Sequence, residues 1–146
     1  MNTRADLEFE PQLTPREMLE LGVFGGWYFA GDHAEFPAEW FANAKLSPDG
    51  FDARLNCFGV AAGQSRQAWR DKGWITPEDP LGWFQWYCRY TLGRRIPGVD
   101  AFQIKRWRAF GPRHIGAIRH NCPDMDFTCR PGQRQALLQW AYDPFF

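Results

Sequence analysis

The sequence has no CxxC pair, no apolar run near the ~20 residues needed to cross a membrane, and no apolar stretch behind its acidic start. These absences remove zinc-ribbon and thioredoxin-type spacings, a spanning helix and a secretory leader from the expectations. The GxGxxG and Walker A phosphate loops and the GxSxG nucleophile turn are missing as well. Gly22, Gly25 and Gly26 are too sparse for a phosphate cradle and read as a turn. No repeat, low-complexity tract or linker rich in Gly, Ser or Pro divides the chain. An excess of one charge is also lacking: 17 basic side chains face 17 acidic ones.

Rings are what the chain has in quantity. Aromatic residues make up 17% of it, with eight Trp, thirteen Phe and four Tyr among 146 residues. A chain of this length forms one domain with its own core, and rings must supply much of that core. The net charge of zero hides a division. Residues 1–59 carry four basic against ten acidic side chains, and residues 60–146 carry thirteen against seven. Either the acidic half folds onto the basic half, or the basic half meets an anionic partner.

The helix signals are legible. Thr14-Pro15-Arg16-Glu17 combines an N-cap, a Pro at the first helical position and a Glu at the third, and Gly22 stops the helix they start. Short helices are expected from Pro37 and from Ser65 to Lys72. Asp79-Pro80 opens a segment in which Leu81, Trp83, Phe84, Trp86, Tyr87, Cys88 and Tyr90 leave almost no polar side. This aromatic-rich helix, 80–92, is the expected centre of the domain. Helices over 101–110, capped by Asp100, and over 113–120 follow, separated by Gly111-Pro112, and a last one runs from Pro131 to Tyr142. Residues 23–60 leave room for one short β-hairpin, and 1–12 read as a flexible N-terminal arm. The expected fold is mainly α, a single compact multi-helix domain over residues 13–146.

His114, His120, Cys122 and Cys129 crowd together in sequence, but His114 and His120 diverge around a helix, and no metal or cofactor is expected. The four cysteines are expected as free thiols in a reducing cytoplasm, with Cys122 and Cys129 near enough to bridge in an oxidising compartment. The basic side chains carry more signal. Arg94, Arg95, Lys105, Arg106, Arg108, Arg113 and Arg119 are expected to form an anion- or nucleic-acid-binding surface, rich in the residue suited to bidentate contact with phosphate or carboxylate. The helices 101–110 and 113–120 have the outline of a helix-turn-helix, which would turn Arg113, His114, Arg119 and His120 toward a groove.

Two arginines break the apolar pattern. Arg134 falls inside the apolar arc of the last helix, and Arg89 stands with Gln85 amid the rings of the central one. A buried Arg must be answered. Either Gln85, Arg89 and Arg134 form a pocket for a small anion, or acids of the first half pair with the arginines. The expected function is a binding module for an anionic partner, nucleic acid ahead of small molecule. One alternative is an enzyme whose Trp-lined, Arg-containing pocket takes a carboxylate or phosphate ligand, with His114 or His120 carrying protons. The other is a protein–protein interaction module using exposed Trp. No membrane partner is expected.

Overall fold

The computed structural model describes residues 8–146, and within them five α-helices carry the fold. They are α1 (Pro15–Leu21), α2 (Arg66–Asp71), α3 (Trp83–Thr91), α4 (Pro97–Asn121) and α5 (Pro131–Leu138). The expected mainly helical, single-domain fold is found. Helix α1 begins on the capping box read from the sequence: Glu17 N–H donates to Thr14 Oγ1 at 3.1 Å, and Thr14 N–H donates to Glu17 Oε1 at 3.0 Å. Ser65 caps α2 by accepting from the Ala68 N–H.

Residues 23–60 form single 3₁₀ turns at Phe24–Gly26, Ala38–Trp40 and Ala53–Leu55, with no strand among the described residues. The hairpin expectation is thus corrected. Gly25 and Gly26 both take positive φ, which bends the chain where a strand would continue. Asn56 then locks the turns together: its Oδ1 accepts from the Gly25 N–H, and its Nδ2 donates to the Val60 carbonyl.

The rings collect around α3. Trp83, Phe84, Trp86, Tyr87, Cys88 and Tyr90 are all buried. Phe9 sits among five rings, those of Trp83, Trp86, Tyr87, Tyr90 and Trp107, at centroid distances of 5.0 to 6.4 Å. Within the expected arm Phe9 is therefore core, Glu10 and Gln12 are exposed, and residues 1–7 lie outside the described ones. Helix α3 is tied to α4 through indole N–H groups. Trp86 Nε1 donates to Asp100 Oδ1 at 2.8 Å, and Trp83 Nε1 donates to the Gln103 carbonyl at 3.2 Å.

Helix α4 corrects a second expectation. It runs unbroken through Pro112, so the pair 101–110 and 113–120 is one rod and the expected helix-turn-helix does not form there. A proline inside a helix removes one N–H and crowds the carbonyl a turn earlier, which is why the sequence reads as a break. Tertiary packing holds the helix together here. The Tyr142 hydroxyl donates to the Trp107 carbonyl, and the Tyr142 ring stacks on Trp107 at 4.8 Å. Gly111 makes room for that ring: a Cβ there would stand 2.2 Å from Tyr142 Cζ. Asp100 also moves from its expected place. It lies inside the first turn, where its Oδ2 accepts from the Ile96 N–H.

Cys122 and Cys129 are joined in a disulfide, while Cys57 and Cys88 are free. The free thiols expected at 122 and 129 are thereby corrected. The turn after α4 brings their Cα atoms to 5.8 Å. Such a bridge is the alternative the sequence allows for an oxidising compartment. Among the described residues no helix is long and apolar enough to cross a membrane.

Candidate functional site

The arginines singled out in the sequence meet partners of different kinds. Arg89 is answered from both halves of the chain: Nε donates to Glu35 Oε2 at 2.7 Å, and Nη1 donates to Asp79 Oδ1 at 3.0 Å. Those bonds, Glu35's above all, raise its pKa. Arg94 donates to the other oxygen of the same buried Asp79 at 2.6 Å. Arg95 covers the Tyr90 ring at 3.6 Å, and Arg108 pairs with Glu8 at 3.1 Å. Arg119 lies over the Phe146 ring. Lys105 is exposed.

The pocket expected from Gln85, Arg89 and Arg134 does not form, because the three have separate partners. Gln85 Oε1 accepts from the Leu81 N–H at the start of its own helix. Arg134 is fully buried and donates to three backbone carbonyls: Cys129 at 2.7 Å, Pro144 at 2.8 Å and Phe146 at 3.1 Å. Its guanidinium also lies over the Phe127 and Phe146 rings. Burial lowers its pKa, partly opposed by Asp126. The salt-bridge alternative therefore describes Arg89, while carbonyls answer Nε and Nη1 of Arg134 and leave its buried Nη2 without a hydrogen bond among the described residues.

A cleft of about 750 Å³ opens elsewhere, between α4, α5 and the chain around α2. One face of α4 supplies Arg106, Ala109, Phe110, Arg113 and His114, spaced as i, i+3, i+4, i+7 and i+8. That face exists only because α4 continues through Pro112. Helix α5 and the residues after it add Gly132, Gln133, Gln139 and Trp140, and the opposite wall holds Phe24, Trp69 and Trp74. A second, narrow space of about 30 Å³ continues inward between Trp69, Trp74, Trp83 and Trp140, with Arg106 on both linings. Rings form the walls, and a few polar groups converge on them, as small-molecule sites require.

Arg106 is the unusual member. Its guanidinium is packed near the rings of Trp74 and Trp140, each 5.2 Å from the centroid, and of Phe102 at 5.5 Å. Its hydrogen bonds all leave from Nη1, to the Trp74 carbonyl and to Gln103 Oε1, both at 3.1 Å. No carboxylate pairs with it among the described residues. Loss of water around the charge pulls its pKa down to about 10. The Nε and Nη2 edge makes no hydrogen bond to the described residues, and that edge is the one on which an acid group docks through two parallel bonds.

His114 lies near the other end. Its ring is 4.3 Å from Phe110, and Nδ1 is 3.3 Å from Gln133 Nε2. Burial first, and the charge of Arg113 second, lower its pKa and so favour the neutral imidazole. His114 thus shares the cleft with Arg106 and Arg113, while His120 is exposed and outside it.

Trp69 and Trp140 are expected from the sequence only as packing residues of their helices, and Trp74, Gln133 and Gln139 carry no expectation. The periodic face 106–109–110–113–114 was the available signal, and reading a break at Pro112 concealed it. Gln139 is largely structural: Oε1 accepts from the Phe24 N–H at 3.1 Å and from Gln135 Nε2 at 3.1 Å. Among the described residues no group of three His, Cys, Asp or Glu is placed to hold a metal. No Trp is among the exposed large apolar residues, which are Leu46, Phe51, Leu92, Phe102 and Met125. No family model matches the chain, and no curated protein or solved structure is similar to it.

Proposed function

We propose that the protein is a binding module for a small organic anion held in the cleft over α4, with Arg106 as its anchor. One observation carries this reading. Arg106 is a partly desolvated cation with no carboxylate partner and an open Nε–Nη2 edge, in a fold that pairs Arg89, Arg94 and Arg108 with acids. An unanswered charge in a low-dielectric setting is costly, and an anion arriving there gains from the same setting.

The small-molecule reading is favoured over nucleic acid. Of the seven basic residues expected to meet a nucleic acid, Arg94, Arg95 and Arg108 are engaged within the fold, and Arg106 lines a cleft. A duplex needs a continuous run of available cations along its backbone.

The test compares small organic anions with oligonucleotides. Gly132 lines the cleft and has nothing within 4 Å of an added Cβ, so Gly132→Glu introduces a carboxylate without a clash. Benzoate is expected to raise the melting temperature of the parent protein and to leave that of Gly132→Glu unchanged. Salt-sensitive binding of duplex or single-stranded DNA that survives Gly132→Glu, with no response to benzoate, would overturn the reading.

A further inference from the structure

Resting on that reading, we infer that the cleft is built for a planar aromatic ring bearing a single carboxylate on the ring or one atom from it. The ring requirement comes from the walls. Phe24 already packs against Tyr28 and Phe84, and Phe110 and Trp140 stack on each other at 4.8 Å. Trp69 differs. Among the described residues it has neither a ring nor a cation on it, and one edge rests against Gly82, where a Cβ would lie 3.2 Å from Cζ3. A half-buried indole that lines a cleft and carries neither a ring nor a cation is a stacking platform.

The number of acid groups follows from the cations. Arg106 offers one open edge with two donors, which matches the two oxygens of a carboxylate. The next cation on this face, Arg113, is two helical turns away, about 10 Å along the axis. It is too distant to share a small acid group bound at Arg106. The short spacer follows from Trp74, whose carbonyl receives Arg106 Nη1 and whose ring lies 5.2 Å from the guanidinium. A ring lying along the Trp69–Trp74 wall therefore brings an attached carboxylate directly to Arg106. The narrow space beyond has Arg106 as its one charged lining residue and so offers no second cation to an acid group.

Calorimetric titration with indole-3-carboxylate, benzoate, indole and acetate separates the two halves of the ligand. The aromatic acids are expected to bind at least about tenfold more tightly than either indole or acetate. Trp69→Leu should remove that advantage and leave acetate binding unchanged. Arg106→Lys keeps the charge and loses the fork, and should weaken the acids about tenfold without affecting indole. If Trp69→Leu does not fold, the parent ranking of the four probes decides the matter alone. Acetate binding as tightly as the aromatic acids would overturn the ring inference and leave the anion site standing. Indole binding as tightly as its carboxylate, with no effect of Arg106→Lys, would overturn both, as would the binding of none of these probes.

Discussion

Arg106 and Arg134 show how similar side chains take different roles according to what surrounds them. Arg134 has three carbonyls on its guanidinium and is sealed from water, so its role is to hold the C-terminal residues and the 122–129 turn together. Replacing it with Met leaves the Pro144 carbonyl buried, and those of Cys129 and Phe146 half-buried, without this donor. Arg134→Met is expected to cost about 3 kcal/mol or more, read by denaturant unfolding. A loss below about 1 kcal/mol would show that the carbonyls are answered by water instead. Arg106 uses one nitrogen for the fold and keeps an edge open. His114 supplies a control on where the acid group sits. Burial and Arg113 lower its pKa, and it lies eight residues beyond Arg106, about 12 Å along the helix axis, out of reach of an acid group held at Arg106. Benzoate affinity should therefore stay level as pH falls from about 7 to about 5.5, in the parent and in His114→Gln alike; a rise in the parent that His114→Gln abolishes would place the acid group beside the histidine instead.

The helix α4 shows most plainly what the sequence could and could not convey. Capping at Thr14 and Ser65 was readable because it depends on residues three apart. The buried character of α3 was readable because its rings leave almost no polar face. The continuity of α4 was not readable, since it depends on a ring thirty residues downstream. Tyr142 fills the space over Gly111 and donates to the carbonyl of Trp107. The cleft followed the same course: its α4 face spans the proline, and its Trp69–Trp74 wall is joined to that face by no local pattern. Gly111→Ala tests this link. The added methyl must displace the Tyr142 ring, and a loss of about 2 kcal/mol is expected by thermal or denaturant unfolding. An unchanged stability would mean that the ring is not what carries the helix through Pro112.

Over the whole molecule, the charge division between the halves is partly settled within the fold. Glu35 and Glu8, from the acidic half, meet Arg89 and Arg108 from the basic half. The arginine surface expected from the sequence is thereby divided into paired residues, residues laid on rings, and the few that face the cleft. The aromatic excess divides as well. Most rings pack around α3 and Phe9, while Trp69 and Trp74 line an open space beside an unpaired cation. The account rests on Arg106 receiving an anion. The most direct measurement is the side-chain nitrogen NMR spectrum of the arginines, with the Arg106 Nε–H signal identified by its disappearance in Arg106→Lys. Titration with benzoate is expected to shift that signal in a saturable way and to leave those of Arg89 and Arg134 in place. An Arg106 signal unmoved at saturating benzoate would contradict the account.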